Sequence, residues 1–237
     1  HDKPRFIMTL SITNHPPYRL PKDVEIQKIK LDEKTLGRFP YDNTETIFAT
    51  FRYANDELGK FINTVKEDVS LKDNIFIAAT GDHNMRGIGY SDYPEELVFG
   101  HEVPFYLYMP EKYIRNTAVR YDPKRLGSHK DIITTLVSHA VSDYTFYSFG
   151  CDMLSNDKCN FPYAYNQSVS VGYGKDYACE LQTDNYGVSY KITDRKQLLV
   201  SPKADDANCT KEAAFKKLEA QLYYFQAMMP VKLEKTK

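Results

Sequence analysis

The first 145 residues alternate short apolar runs with longer stretches in which apolar residues recur at helical spacing. Residues 6–13 (FIMTLSIT), 74–80 (NIFIAAT) and 103–110 (VPFYLYMP) have the length and composition of strands. Helices are predicted over residues 44–65 and 128–141, with caps at Asn43 and Thr44 in the first and at Ser128 in the second. Their apolar positions are Phe48, Phe51, Leu58, Phe61 and Val65 in the first helix, and Ile132, Ile133, Leu136, Val137 and Ala140 in the second. Strands that alternate with helices predict an α/β fold, with a mostly parallel sheet sandwiched by helices.

The pattern changes in the last third of the chain, where short apolar segments are rich in tyrosine and punctuated by glycine. The segments SVSVGYG, YACELQTD, GVSYKITD and KQLLVSP are joined by turns such as Asp184-Asn185 and Asp194-Arg195, so they predict a small antiparallel sheet. A closing helix is predicted over residues 211–229, with an apolar face packed on that sheet. The residues of this face are Phe215, Leu218, Leu222, Phe225 and Met229. We expect an α/β core over residues 1–145 and a small Cys- and Tyr-rich subdomain over residues 146–237.

Composition and charge narrow the class of protein. The chain has 237 residues, 42% of them hydrophobic, which is enough to bury a full core. Its 31 Lys and Arg balance 32 Asp and Glu, and no basic block stands out, so nucleic acid is not an expected partner. No window approaches the roughly 18 consecutive apolar residues of a membrane span, so no span is expected in this chain.

The four cysteines all follow residue 150, and no histidine stands near them at zinc-finger spacing. An even number of cysteines favours two disulfides and an oxidising compartment over a metal site. The alternative is four reduced and buried thiols. If disulfides form, we expect Cys151 to pair with Cys159, the local pair, and Cys179 to pair with Cys209.

A carboxylate and an imidazole stand side by side where the 74–80 strand ends. Asp82 and His83 follow Gly81, and a turn just past a strand can direct both side chains into the cleft at a sheet edge. Oxygen and nitrogen ligands suit Zn²⁺ or Mn²⁺ better than Mg²⁺. Alternatively, Asp82 caps the next turn and His83 is a solvated loop residue. Arg86 after the turn could pair with an anionic ligand, although a solvated loop arginine is the simpler interpretation.

Five blocks of sequence, taken in order, carry a family resemblance. They are FIMTLSITNHPPYRLP, YANDELGKFINTVK, NIFIAATGDHNMRG, HEVPFYLYMP and SHKDIITTLVSHA. Together they resemble the catalytic domain of the sulfatase and phosphotransferase branch of the alkaline phosphatase superfamily, in particular the lipoteichoic acid synthase and phosphoethanolamine transferase type. The resemblance covers residues 5 to about 141. It implies an alkaline phosphatase-like fold, of which this chain would be the C-terminal portion, incomplete at the N-terminus.

The resemblance also implies roles for four residues. Asp82 and His83 would be ligands of a divalent metal, Mn²⁺ or Zn²⁺, and His15 would contact the phosphate or sulfate group of the substrate. His101 falls near a substrate-side position in some relatives. Alternatives stay open for both histidines. His15 could be a loop imidazole held by two prolines, and His101 could either cap a helix next to a neighbouring loop or simply be exposed.

The chemistry of the family requires a nucleophile that we do not expect in this chain. In the family a Thr, Ser or modified Cys attacks phosphorus or sulfur and forms a covalent intermediate. Thr9 lies inside an apolar run and Thr13 is only two residues before His15, so neither occupies the position of the motif. The nucleophile and a further acidic metal ligand are therefore expected upstream of this sequence.

Two functional classes remain. The chain is either the C-terminal part of a metal-dependent enzyme that transfers or hydrolyses phosphate or sulfate esters, or a catalytically inactive sulfatase-fold domain that binds carbohydrate or a protein partner. For the enzyme, the resemblance implies an envelope phosphoglycerol or phosphoethanolamine transferase acting on a membrane-lipid head group. It also implies a soluble extracytoplasmic domain, periplasmic or at the cell surface, of a membrane-anchored protein, in agreement with the cysteines.

Overall fold

The structure of the protein is a computed structural model, and its chain divides into two compact units. It describes residues 5–25, 29–39, 41–85, 92–116, 122, 125–143, 145–146, 148–155, 159, 161–166, 168–173, 175–183, 186–205 and 207–228. Unit 1 comprises His1–Tyr90, Val103–Ala118 and His139–Asp143, and unit 2 comprises Ser91–Glu102, Val119–Ser138 and Tyr144–Lys237. Residues 91–102 and 119–138 thus group with the C-terminal residues, and the predicted boundary at residue 145 stays a prediction.

Unit 1 is built around one long helix and one pair of strands. Its elements are α1 (Glu33–Gly37), α2 (Thr44–Glu67), β1 (Ile77–Thr80), β2 (Phe105–Tyr108) and α3 (Glu111–Asn116). The predicted helix over residues 44–65 is present as α2, and the predicted strands over 74–80 and 103–110 are present in shorter form. β1 and β2 pair antiparallel, with Ile77 opposite Tyr108 and Thr80 opposite Phe105.

The segment predicted as the first strand differs from the expectation. Residues 6–13 form no strand, and the large apolar side chains in them are 71% to 84% exposed. They are Phe6, Ile7, Met8, Leu10 and Ile12. A strand is stable when neighbours pair with its backbone and cover its apolar side chains, and no strand of the described residues pairs with this segment. The mostly parallel sheet is not shown either, because both sheets of the described residues are antiparallel.

Helix α2 buries only part of the apolar stripe that its sequence predicts. Val65 is buried as expected, and Thr44, Ile47 and Thr50 are buried near the start of the helix. Phe51 and Phe61 are exposed, contrary to the prediction. The helix therefore buries residues near its two ends, while Leu58 in its middle is only partly buried.

Unit 2 contains the small antiparallel sheet that the sequence predicts. Its strands are β3 (Tyr163–Tyr165), β4 (Val169–Gly172), β5 (Tyr177–Thr183), β6 (Tyr186–Asp194) and β7 (Leu199–Asp205), arranged in chain order. Helices α4 (His129–Ala140) and α5 (Thr210–Met228) confirm the two predicted helices of this region. The Asp184-Asn185 turn lies outside the described residues. One buried apolar cluster joins β4, β5, β6 and β7 to Leu97 and Val98.

Both disulfides form with the predicted pairing. Cys151 is bonded to Cys159 and Cys179 to Cys209, with Cα–Cα distances of 5.4 and 5.9 Å. Cys179 and Cys209 belong to a second buried cluster with Leu181 and Ala213. The second disulfide therefore ties the start of α5 to the middle of the sheet.

The buried faces of α4 and α5 are more polar than the sequence predicts. In α4 the buried residues are Lys130, Asp131, Thr134 and Thr135, whereas Ile133 is half exposed. In α5 the buried residues are Glu212, Ala213 and Glu219, whereas Leu218 of the predicted apolar face is exposed. Phe215 and Leu222 of that face are partly buried. The Phe225 side chain and Met229 lie outside the described residues.

Candidate functional site

The candidate site of unit 1 begins at the end of β1. The strand ends at Thr80, and Gly81 follows in close contact with the residue that leads into β2, because a Cβ on Gly81 would lie 3.3 Å from Val103 Cγ1. A larger residue at position 81 would push against that side chain. Asp82 and His83 come next, so pairing of β1 with β2 and the contact of Gly81 with Val103 together position the turn.

Hydrogen bonds within the turn orient both side chains. The His83 backbone N–H donates to Asp82 Oδ1 at 2.9 Å, and the His83 ring Nδ1 lies 2.7 Å from the carbonyl oxygen of Asn84. A carbonyl oxygen only accepts, so Nδ1 carries the proton in this arrangement. In the neutral ring, Nε2 then holds a free lone pair, and it lies 3.5 Å from Asp82 Oδ2.

These two atoms fit two ligands of one divalent cation. In a tetrahedral zinc site with ligand distances of about 2.0–2.1 Å, neighbouring ligand atoms lie roughly 3.3–3.4 Å apart. A metal-bound histidine usually donates its other ring N–H to a carbonyl or carboxylate, which is the contact that His83 makes with Asn84. Both side chains are more than half exposed, so the turn is accessible to ions.

The turn offers two candidate ligands rather than a full set. Among the described residues no group of three or more His, Cys, Asp or Glu side chains could hold a metal ion. A catalytic zinc site usually has three protein ligands. Asp82 and His83 therefore fit half of a metal site, with the remaining ligands to come from water or from another segment.

His15 lies in a tight turn that follows the exposed apolar segment. Its backbone N–H donates to Ile12 O at 3.2 Å, its carbonyl accepts from the Tyr18 N–H at 2.8 Å, and its ring Nδ1 lies 2.9 Å from Pro16 O. As in His83, this contact makes Nδ1 the donor and leaves Nε2 available. The preceding Asn14 accepts a 3.4 Å hydrogen bond from the Thr50 hydroxyl of α2. The expectation that His15 shares a cleft with Asp82 stays a prediction.

His101 ends a 3₁₀ turn, Phe99–His101, that belongs to unit 2. The residue as a whole is exposed, and partial burial of its ring lowers the pKa of the imidazole. Arg86 lies outside the described residues.

Among the described residues of the turn, Asn84 makes a contribution that the sequence did not reveal. It acts through its backbone carbonyl on His83 and its side-chain oxygen accepts the Met85 N–H at 2.8 Å. No side-chain pattern predicts which carbonyl will orient an imidazole, because every residue carries one.

The described part of unit 1 thus combines helices with a pair of strands, and a carboxylate and an imidazole follow the end of β1. Comparison with protein families matches residues 1–142 to the sulfatase family, and the chain belongs to that family. No curated protein matches it. Sulfatase-family proteins act on sulfate and phosphate esters and generally use a divalent metal. Among the described residues, no helix is both long enough and apolar enough to cross a bilayer.

Proposed function

We propose that this chain is part of a metal-dependent enzyme that transfers or hydrolyses phosphate or sulfate esters. The observation that carries the proposal is the 3.5 Å approach of His83 Nε2 to Asp82 Oδ2, in a turn within the family-matched residues. The finer proposal, an envelope phosphoglycerol or phosphoethanolamine transferase, is supported by the five sequence blocks. The two disulfides support a location outside the cytoplasmic membrane.

The residues of the turn have separate tasks in this proposal. Asp82 would provide a negative oxygen ligand, and His83, held by the Asn84 carbonyl, would provide a nitrogen ligand in a fixed orientation. A divalent cation, when bound there, supplies charge that polarises an ester oxygen and favours the ionised nucleophile. The exposed His15 ring would hydrogen-bond the phosphate or sulfate group through Nε2.

We also propose that the nucleophile comes from a segment outside these 237 residues. Thr80 is the hydroxyl residue nearest the turn in sequence, and its Oγ1 donates to Gly81 O at 3.1 Å. It belongs to β1 and is paired with Phe105, so it is part of the strand that supports the turn. Covalent catalysis requires a hydroxyl or thiol held beside its activating group.

The test is hydrolysis of p-nitrophenyl phosphate and p-nitrophenyl sulfate with added Mn²⁺ or Zn²⁺. The 237-residue chain is compared with a chain extended upstream in its gene. We expect the extended chain to turn over one of the two esters and the short chain to be silent. In the extended chain, Asp82→Ala should lower kcat/KM roughly 100-fold or more, since even removal of a group that supports a metal ligand costs 10- to 100-fold.

The matched control is Asp56→Ala, which removes an exposed carboxylate of α2 and should leave turnover unchanged. Turnover by the short chain that Asp82→Ala abolishes would show that a nucleophile lies within these residues. An extended chain that binds Mn²⁺ through Asp82 and binds carbohydrate, yet turns over neither ester, would favour the inactive binding domain.

A further inference from the structure

Helix α5 buries both of its acidic side chains and exposes several of its large apolar side chains. Glu212 and Glu219, one helical repeat of seven residues apart, are 3% and 2% exposed. Leu218, Tyr224 and Met228 are 45%, 64% and 66% exposed. A helix of a soluble protein normally has the opposite arrangement, with its apolar stripe on the core.

Contacts on the inner side of α5 fix this orientation. Phe215 packs against Phe161 and Tyr163, with ring centroids 4.3 and 5.7 Å apart. Glu212 accepts a hydrogen bond from the Tyr177 hydroxyl at 3.3 Å. The disulfide at Cys209 anchors the residue just before the helix. Rotation of α5 would break these contacts, so the outward position of the apolar side chains belongs to the folded unit.

The charge on the outer side of α5 is positive. Both acidic residues of the helix, Glu212 and Glu219, are buried, whereas Lys211 and Lys217 are exposed. The sequence that follows the helix continues the trend, with three lysines and one glutamate in its last seven residues, VKLEKTK. The outer face therefore combines lysines with a leucine, a tyrosine and a methionine.

We propose that this outer face of α5 docks unit 2 on the surface of an anionic lipid bilayer. A helix that lies in the interface buries leucine, methionine and aromatic side chains at the level of the head groups and acyl chains, while its lysines remain near the lipid phosphates. Leu218, Tyr224 and Met228 would enter the interface, and Lys211 and Lys217 would approach the phosphates.

Charge argues against a second copy of the chain on this face. Two α5 helices packed outer face to outer face would bring lysines against lysines, and like charges across an interface disfavour association. An anionic bilayer instead complements the same lysines. The inference does not depend on the proposed function, although docking would hold the chain near lipid-linked esters.

The experiment is co-sedimentation of the full chain with phosphatidylcholine vesicles, with and without phosphatidylglycerol. We expect binding to the anionic vesicles, little binding to phosphatidylcholine alone, and loss of binding at high salt. Lys211→Glu with Lys217→Glu should weaken binding about 30-fold or more. Leu218→Ser with Tyr224→Ser and Met228→Ser should weaken it about tenfold or more, because the apolar anchors are lost.

The matched controls alter exposed residues on α2 and just beyond it. Lys66→Glu and Val69→Ser, both at exposed positions, should leave vesicle binding unchanged. Circular dichroism and thermal unfolding verify that each variant keeps its fold, as substitutions at exposed positions usually do.

Three results would overturn the proposal. The first is no difference between anionic and neutral vesicles. The second is binding that survives both α5 variants but is lost in Phe6→Ser with Met8→Ser, which would assign it to the exposed segment of unit 1. The third is a dimer in the absence of lipid that either α5 variant dissociates, which would make the face an interface between copies.

Discussion

At the scale of single residues, the Asp131 carboxylate accepts hydrogen bonds from several parts of unit 2. It is fully buried, and Oδ1 accepts from Lys130 Nζ at 2.6 Å and from the Cys151 N–H at 2.7 Å. Its other oxygen, Oδ2, accepts from the Ser128 N–H at 2.8 Å and from the Tyr173 hydroxyl at 2.6 Å. One carboxylate therefore joins the start of α4, the first disulfide loop and the turn after β4.

Asp131 also affects the pKa of the tyrosine that donates to it. Burial raises the pKa of Tyr173, and the negative carboxylate of Asp131 raises it further. Lys130 also donates to Phe161 O at 3.2 Å, so the ammonium is hydrogen-bonded on two sides. A buried charge pair persists when such additional hydrogen bonds satisfy both partners.

We expect Asp131→Ala to destabilise unit 2 by about 3–5 kcal/mol, because it leaves the Lys130 ammonium buried and three other donors unpaired. The measurement is urea-induced unfolding followed by circular dichroism. The matched control is Asp176→Ala, whose carboxylate is 81% exposed and pairs with Arg195 at 2.6 Å. That exposed and solvent-screened pair should contribute little to stability. Equal losses of stability in the two variants would contradict the role assigned to Asp131.

At the scale of elements, helix α5 contains a buried acid, Glu219, whose carboxylate has fewer hydrogen-bond partners than that of Asp131. Neither carboxylate oxygen of Glu219 has a partner of good hydrogen-bond geometry among the described residues. Burial raises the pKa of Glu219 above its ordinary 4.5, and Asp131 adds to the rise, while Tyr223 and Lys130 oppose it. The attachment of α5 therefore favours the protonated form of this side chain.

The sign of the pH dependence follows from that direction. An acid whose pKa is higher in the folded state contributes stability below its unfolded pKa, and this contribution is lost as the pH rises through the folded pKa. We expect Glu219→Gln, which keeps the side chain neutral, to match the native chain near pH 4 and to exceed it in stability at neutral pH. Urea unfolding across this pH range measures the difference. An exposed control, Glu67→Gln, should show no such trend. A Gln variant that is less stable than the native chain at neutral pH would contradict the account.

At the scale of the whole molecule, the sequence predicted the identity of most elements better than their environment. Periodicity located α2, α4 and α5 to within a few residues, and turn residues separated the strands of the C-terminal sheet. Burial was harder to predict. Apolar spacing predicted that Leu218 is buried. The disulfide at Cys209 and the packing of Phe215 instead orient the helix so that Glu219 is buried and Leu218 is exposed. Such tertiary contacts cannot be predicted from the spacing of apolar residues along the sequence.

At the candidate site, too, the sequence predicted which residues matter better than how they are held. Asp82 and His83 could be singled out because a strand-like run ends directly before them, and the structure places both just after β1. The segment before His15 has strand composition but no partner strand among the described residues, so composition alone could not predict its state. The orientation of the His83 ring depends on the Asn84 carbonyl and was beyond sequence reasoning.

The measurement that tests the central claim most directly is a Mn²⁺ and Zn²⁺ titration of the untagged 237-residue chain by calorimetry. We predict weak binding of one ion, because the turn supplies two ligands, and a loss of affinity of about tenfold or more in Asp82→Ala and in His83→Ala. Asp56→Ala, the exposed control, should bind as the native chain does. Unchanged affinity in both site variants, or no binding to the native chain at millimolar metal, would contradict the assignment of Asp82 and His83 as metal ligands.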